Sequence, residues 1–188
     1  MNDRLVLLLD VDGVLADFVS SACRLCGHDP AEVYSRWTPG DYAFEKLLGM
    51  TRNDFYGAID RAGADFWENL EILPHAKELW QFCRSRADAY FCSTPTRDAG
   101  SLPGKRAWLA KHFGRDAPAS TVFTEHKWLL SHPHTLLVDD RDSNVESFRD
   151  RKPWGGHAIL FPTISNERHA ERNDAFEIVK KEIEAWTS

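Results

Sequence analysis

The sequence predicts an α/β fold: a Rossmann-like parallel sheet with helices on both faces, and a small helical cap inserted after the first strand. Three observations favour this fold class. Short apolar runs end at polar or acidic residues, amphipathic segments lie between them, and about 70 residues without a convincing buried strand follow the first run. Short continuous apolar runs are typical of strands buried on both faces, as in a parallel sheet covered by helices.

Five apolar runs predict the strands of this sheet. They are "LVLLLD" (5–10), "DAYFCST" (88–94), "STVF" (120–123), "TLLVDD" (135–140) and "HAILFP" (157–162). Because helical segments alternate with these runs, right-handed crossovers are expected to keep the strands parallel. The carboxyl ends of the strands then meet at one edge of the sheet, which is where ligands bind in open α/β folds.

Three amphipathic segments predict helices that cover the sheet, at 74–86, 104–114 and 174–186. The first begins at Pro74, a residue that suits the first turn of a helix. The second ends at Gly114, which is typical of a helix C-cap. The third repeats apolar residues at helical spacing, so one of its faces is expected to pack on the sheet.

The interval between the first two strands is too long for a normal crossover. It is rich in aromatic residues and contains short helical patterns such as "DYAFEKLLG" (41–49) and "TRNDFYGAIDRAG" (51–63). We therefore predict a helical cap at 17–73 and an α/β core formed by 1–16 and 74–188.

The net charge and the length of the apolar runs argue against binding of a nucleic-acid polymer and against membrane association. The net charge of −6 and the pI near 5.7 argue against broad electrostatic binding of a nucleic-acid polymer. A small phosphorylated ligand stays compatible with this charge, because a local metal ion or lysine reverses the field at one site. No apolar run approaches the ~20 residues of a membrane span and no export signal is recognisable, so we expect no membrane association and a cytoplasmic location. A homodimer is left open by the sequence.

Cys23 and Cys26 form a C-x-x-C pair, which admits two interpretations. The first is a zinc or redox site; the second is two small apolar residues one helical turn apart. A zinc site needs two more ligands at suitable spacing, and no second C-x-x-C follows. We expect the cysteines to be reduced and to serve only in packing.

Polar and charged residues follow four of the predicted strands. They are Asp10, Asp12, Ser93, Thr94, Lys127, Asp139 and Asp140. Each alone has a structural interpretation, because strand-end aspartates are common as helix caps or turn residues. Their coincidence at successive strand ends favours a shared site. Four carboxylates close together require a cation, and an oxygen-rich site suits Mg²⁺ better than zinc.

These motifs resemble those of a known superfamily. "DVDGVLADF" is similar to the first motif of the haloacid dehalogenase-like (HAD) superfamily, and "FCST", Lys127 and "LLVDD" match its second, third and fourth motifs in order over about residues 5–162. Within it, the sequence resembles most the 5′(3′)-deoxyribonucleotidases. The features that carry this closer resemblance are "DVDGVLADF", "FWENLEILPHA", "CSTP", "GKRAWLAKHFG" and "LLVDDR".

The resemblance implies a reaction through a covalent intermediate. Asp10 would attack phosphorus and form an aspartyl-phosphate, which splits one hard displacement into two easier ones. Asp12 would act as the general acid that protonates the leaving ribose oxygen, and then as the base that activates water. Gly13 would permit the chain to turn both carboxylates toward one phosphate.

The resemblance also implies the remaining ligands. Mg²⁺ would be held by the Asp10 carboxylate, the Asp12 backbone carbonyl and Asp140, with Asp139 assisting nearby. The phosphate oxygens would be bound by Ser93, Lys127 and Thr94.

Recognition of the substrate is assigned to the cap. Phe18 matches an aromatic base-contacting position of the family, and Trp37, Phe66 and Trp67 are further candidates for a wall on which a nucleobase stacks. The alternative is that these rings only pack the cap's own core. Arg61 stands where the family pattern has a tryptophan, so the base and sugar preference stay open.

The sequence thus predicts an Mg²⁺-dependent phosphomonoesterase that acts on (deoxy)nucleoside monophosphates. One alternative is a HAD phosphatase of another small phosphorylated metabolite, such as a sugar phosphate. Another is a non-enzymatic phosphoacceptor or binding module, although such domains phosphorylate an aspartate on a later strand and lack a long insertion after the first. A catalytically inactive relative is disfavoured by the intact Asp10, Asp12, Lys127 and Asp140.

Overall fold

A five-stranded parallel sheet forms the centre of the protein. The computed structural model describes residues 4–188. Residues 1–3, which we predicted to be part of the α/β core, lie outside the described residues. The strand order is β5-β4-β1-β6-β7, and every neighbouring pair is parallel. The strands are β1 (Val6–Leu9), β4 (Asp88–Ser93), β5 (Thr121–Phe123), β6 (Thr135–Asp139) and β7 (His157–Leu160). All five lie within the predicted runs, which confirms the α/β parallel fold.

Eight α-helices accompany the sheet in the described part of the chain. They are α1 (Phe18–Leu25), α2 (Pro30–Arg36), α3 (Arg52–Ala62), α4 (Ala64–Glu68), α5 (Ala76–Arg86), α6 (Ser101–Phe113), α7 (Asp142–Arg149) and α8 (Ala175–Thr187). Short 3₁₀ helices occupy Phe44–Leu48, Ala117–Ser120, Lys127–Leu130 and His169–Asp174. Gly114 ends α6 with φ 101°, as its predicted C-cap role requires.

Helices cover both faces of the sheet because its strands alternate their apolar side chains between two hydrophobic clusters. Leu7 and Leu9 of β1 belong to a large cluster that also contains buried residues of α5, α6 and α8. Leu8 points to the opposite face, where it packs in a smaller cluster with Val145 and Phe148 of α7. Successive side chains of a strand face opposite sides, so a strand buried on both faces needs apolar residues throughout.

A small antiparallel pair, β2 (Ala16–Asp17) and β3 (Glu71–Ile72), lies where the chain enters and leaves the predicted cap segment, 17–73. The Leu73 N–H extends the pair by donating to the Leu15 carbonyl, at 2.8 Å. Sequence analysis did not predict these strands. Helices α1 to α4 fill the interval between them.

Helix α4, the last helix of the predicted cap segment, packs closely on α6, which we predicted to belong to the α/β core. Gly104 allows this approach, because a Cβ at that position would overlap the Ala64 carbonyl oxygen and the Trp67 Cβ. Trp67 therefore has a position fixed relative to the sheet.

The state of the cysteines and the length of the helices are two further features of the described chain. All four cysteines are free, and Cys23, Cys83 and Cys92 are buried. Within residues 4–188, no helix has the length and apolar character that crossing a membrane would require.

Candidate active site

The chain turns sharply after β1 and presents two carboxylates there. Asp10 is 6% exposed, and its N–H donates to the Val138 carbonyl of the neighbouring strand at 2.9 Å. Gly13 has φ 80°, and a Cβ at this position would overlap the Asp140 carboxylate. Glycine is thus required here both for the left-handed backbone and for the close approach of the strand-end acids.

The carboxyl ends of β1 and β6 bring three acids together around a lysine. Carboxylate oxygens of Asp10, Asp139 and Asp140 all lie within 4.8 Å of one another. The Lys127 ammonium lies 2.7 Å from Asp10 Oδ1 and 2.6 Å from Asp139 Oδ2, and its side chain is 2% exposed. The residues predicted from separate motifs therefore share one small space.

Adjacent Asp139 and Asp140 have different surroundings. Besides Lys127, Asp139 accepts hydrogen bonds from the Arg141 N–H at 2.9 Å and from Asn144 Nδ2 at 3.0 Å. Within residues 4–188, no group donates a hydrogen bond to the Asp140 carboxylate. Asp139 thus has its partners within the protein, whereas Asp140 is available to a ligand.

Burial and mutual repulsion disfavour the charged forms of these acids. Burial, opposed by the Lys127 ammonium and reinforced by the Asp139 and Asp12 carboxylates, raises the pKa of Asp10 to about 7. Burial, together with Asp139 and Asp10, raises the pKa of Asp140 well above its usual range. For Lys127, burial lowers the pKa, but the Asp10 and Asp139 carboxylates outweigh it and raise the pKa above its usual value. A divalent cation beside Asp10 and Asp140 would supply the missing positive charge.

The predicted phosphate-binding residues lie at the same edge of the sheet. Ser93 is fully buried at the end of β4. The Thr94 hydroxyl donates to the Thr124 carbonyl at 3.1 Å. The Ser93 hydroxyl instead accepts a hydrogen bond, from a residue that sequence analysis did not single out.

That residue is Lys105 of α6, which is 2% exposed. Its ammonium forms a short ion pair with Asp12 Oδ2 and donates to Ser93 Oγ and the Thr94 carbonyl, each at 2.9 Å. A signal for it was present in the sequence. Lys105 precedes the buried Trp108 and Leu109 by three and four residues, so it lies on the buried face of the helix.

A cavity of about 580 Å³ opens beside these groups. Its lining includes Asp10, Asp12, Asp140 and the rings of Phe18, Trp37, Tyr42, Phe44, Phe55, Tyr56 and Trp67. Polar residues also line it, among them Glu45, Arg52, Asn53, Asp60, Arg97, Glu125 and Arg141. A cavity lined by aromatic rings and by carboxylates that a cation would bridge to phosphate fits a phosphate attached to a flat apolar group.

The four predicted base-contacting residues differ in position. Phe18 and Trp67 line the cavity and stack on each other with ring centroids 5.8 Å apart. Trp37 also lines it, but its ring stacks on Phe44 and its Nε1 donates to the Asp41 carbonyl at 2.7 Å. Phe66 is not among the lining residues; it packs edge-on against Phe18.

Comparison with known proteins identifies relatives along nearly the whole chain. Residues 4–185 match the family described as 5′ nucleotidase, deoxy (pyrimidine), cytosolic type C protein. The mitochondrial 5′(3′)-deoxyribonucleotidase of Mus musculus is 31% identical over 179 residues, which covers 85% of this chain and 74% of the mouse protein. The mitochondrial 5′(3′)-deoxyribonucleotidase of Homo sapiens is 30% identical over 175 residues, with 86% and 72% covered.

Solved structures share the fold at low sequence identity. A haloacid dehalogenase-like protein of Agrobacterium tumefaciens has a TM-score of 0.61 and 15% identity, and covers 98% of this chain and 100% of its own. A haloacid dehalogenase-like hydrolase of Burkholderia xenovorans has a TM-score of 0.60 and 14% identity, with 98% and 99% covered.

Proposed function

The chain belongs to the family of cytosolic type C deoxy (pyrimidine) 5′ nucleotidases and is a HAD-like phosphoric monoester hydrolase, and from this premise we propose that it hydrolyses deoxynucleoside monophosphates through an aspartyl-phosphate, with Mg²⁺ as cofactor. The observation that carries the proposal is the position of Asp10. This carboxylate lies 2.7 Å from the Lys127 ammonium, at the end of a cavity walled by aromatic rings.

Asp10 is the nucleophile of the proposed reaction. Its carboxylate oxygen forms a bond to phosphorus while the bond between phosphorus and the ribose oxygen breaks. Asp12 gives the proton that this leaving oxygen needs. In the second step, Asp12 takes a proton from water, which attacks phosphorus and releases inorganic phosphate and the free Asp10 carboxylate.

The non-bridging phosphate oxygens require positive and hydrogen-bonding neighbours. The Lys127 ammonium and the Ser93 hydroxyl supply them in this proposal, and Thr94 contributes its backbone N–H, because its hydroxyl already donates to the Thr124 carbonyl. Donors that are already in place cost no reorganisation as negative charge develops in the transition state. The ion pairs of Lys127 hold its ammonium beside the nucleophile before the substrate enters.

The strand-end acids fit a hard divalent cation. Asp10 and Asp140 offer oxygen atoms within 4.8 Å of each other, and the Asp12 backbone carbonyl is the third protein ligand that the family resemblance implies. Asp139 acts indirectly in this proposal, because its oxygens already accept bonds from Lys127 and Asn144. A Mg²⁺ ion held by these residues would offset the charge of the acids and of the phosphate, so that Asp10 could react in its ionised form.

Phe18 and Trp67 are proposed to contact the nucleobase. Both line the cavity, and a stacked base would extend the Phe18–Trp67 ring pair. This aromatic wall favours nucleotides over sugar phosphates, because a flat nucleobase stacks on aromatic rings. We keep the cytoplasm as the proposed location, although the mouse and human relatives are named mitochondrial.

A phosphate-release assay tests the proposal. With Mg²⁺ present, deoxy- and ribonucleoside 5′- and 3′-monophosphates are compared with common sugar phosphates. We expect the highest kcat/KM for a deoxynucleoside monophosphate. A clear preference for a sugar phosphate would overturn the assignment of nucleotides as substrates and leave the phosphatase class intact.

A further inference from the structure

We propose that Lys105 is a positioning residue that holds the Asp12 carboxylate for proton transfer to the leaving group. The inference rests on the proposed function, because it assigns a task within that reaction. It concerns a residue outside the four strand-end motifs, on the helix that follows β4.

Lys105 lies where its ammonium contacts only groups of the site. Its three hydrogen-bond partners are Asp12 Oδ2, Ser93 Oγ and the Thr94 carbonyl. The ammonium also lies 4.6 Å from the centre of the Trp67 ring, which closes its remaining side. A lysine has three N–H donors, so the three acceptors use its full capacity and fix the ammonium in place.

The two oxygens of Asp12 are in unequal situations. Oδ2 is bound by Lys105, whereas Oδ1 is buried and has no hydrogen-bond partner among the described residues. A buried oxygen without a hydrogen bond destabilises the folded protein unless a ligand donates one to it. Asp12 lines the substrate cavity, and because Lys105 engages Oδ2, the proton exchange with the leaving group is assigned to Oδ1.

Asp12 needs such support because it stands on a turn beyond the end of β1. No other side chain of the described residues donates a hydrogen bond to its carboxylate. Lys105, in contrast, belongs to a helix that Gly104 lets pack closely against α4. Through Lys105, the packed helix α6 thereby fixes the orientation of the Asp12 carboxylate. Proton transfer depends steeply on that orientation.

The site thus contains two buried ammonium groups with separate partners. Lys127 pairs with Asp10 and Asp139, and Lys105 pairs with Asp12. The first serves the proposed nucleophile and phosphate, and the second serves the proposed acid. Lys105 also donates a hydrogen bond to Ser93 Oγ. Because the Ser93 oxygen accepts this bond, its O–H hydrogen stays free to be donated to the phosphate.

The substitution Lys105→Met tests this role by removing the ammonium and keeping an unbranched chain. We expect kcat/KM for a deoxynucleoside monophosphate to fall by about 10²-fold, the lower end of what acid–base catalysis contributes. The competitive inhibition constant of inorganic phosphate should change far less. The loss should also be smaller for p-nitrophenyl phosphate, because a nitrophenolate leaves without a proton.

Several outcomes would overturn the inference. They are an unchanged kcat/KM, an inhibition constant of phosphate that rises as much as kcat/KM falls, and equal losses for the two substrates. The last two would make Lys105 a plain phosphate ligand. Lys111→Met, at an exposed position of the same helix, is the matched control and should leave the kinetics unchanged.

Two further measurements keep the test decisive. Thermal unfolding of Lys105→Met distinguishes lost positioning from lost folding, and Lys105→Gln replaces it if the first variant does not fold. Failure of the wild-type protein to release phosphate from any nucleotide would contradict the proposed function itself. Activity of the wild type with no effect of the substitutions would contradict only the role of Lys105.

Discussion

The Lys127 ammonium lies 2.6 Å from Asp139 Oδ2, and the two side chains are 2% and 0% exposed. A buried charge that loses its partner destabilises the folded protein strongly. The pair therefore assigns different tasks to two neighbouring acids. Asp139 holds the lysine, whereas Asp140 is the acid that we propose as the cation ligand.

We predict that Asp139→Asn destabilises the protein by about 3 kcal/mol, at the low end for a broken buried ion pair because Lys127 keeps Asp10. Urea-induced unfolding measures the free energy of unfolding. An unchanged value would contradict the structural task of Asp139. Asp140→Asn, at the adjacent position, is the matched substitution.

Asp140→Asn should not destabilise the metal-free protein, because it removes a buried like charge from beside Asp10 and Asp139. It should, however, weaken Mg²⁺ binding. A ligand that binds the folded state raises its stability, so Mg²⁺ is expected to raise the unfolding temperature of the wild type and to have little effect on this variant. An equal Mg²⁺-dependent rise in both proteins would contradict direct ligation by Asp140.

Asp10→Asn is predicted to abolish phosphate release and preserve the fold. The amide cannot form the covalent intermediate, but it has nearly the volume of the carboxylate and still accepts a bond from Lys127. Phosphate release and thermal unfolding are measured side by side. The exposed substitution Asp116→Asn serves as control; substantial turnover by Asp10→Asn would remove Asp10 from the role of nucleophile.

The sheet was predictable from the sequence because its central strands, β1 and β6, are buried on both faces. Every residue of β1, Val6–Leu9, is apolar, and the predicted run 5–10 exceeds it by one residue at each end. The polar residue at position 10 begins the turn that forms the site. The pair β2–β3 escaped prediction, since two residues per strand leave no periodic pattern to recognise.

Lys105 illustrates a different limit of sequence reasoning. The pattern 104–114 was interpreted as an amphipathic helix, and a lysine in such a helix is ordinarily solvated. Its burial depends on α4 and on the strand ends, which the chain brings together only in three dimensions. Helix α6 also begins earlier than predicted, at Ser101, because Pro103 is tolerated in a first turn.

Phe18 and Phe66 allow a matched test of base stacking. Only Phe18 lines the cavity, and the two rings are 5.8 Å apart in one aromatic cluster. We predict that Phe18→Leu weakens nucleotide binding by up to about 1–3 kcal/mol, the range for base–aromatic stacking. Phe66→Leu should alter stability and leave KM unchanged. An equal rise in KM for both variants would indicate a general disturbance of the cluster.

His75 supports the turn that carries the site. Its Nε2 lies 2.9 Å from the Val14 carbonyl, and its ring stacks between Phe161 and Phe176 at centroid distances of 5.3 and 5.8 Å. Burial lowers the pKa of His75 below 6.5, against the opposing effect of the bond to Val14. The folded protein therefore holds this imidazole neutral at a pH where the unfolded chain is already protonated.

The sign of the pH dependence follows from this difference. Above a pH of about 6.5, the His75 imidazole is neutral in both the folded and the unfolded state, and its contribution to stability is complete. As the pH falls from there through the lower pKa of the folded state, the unfolded state binds more protons and the free energy of unfolding decreases. His75→Gln keeps a donor for the Val14 carbonyl and does not titrate. Urea unfolding of both proteins at about pH 7 and pH 5 should show the larger decrease in the free energy of unfolding in the wild type. Carboxylates elsewhere titrate equally in both proteins and do not contribute to the difference. Equal decreases would mean that the imidazole binds protons as readily in the folded protein as in the unfolded chain.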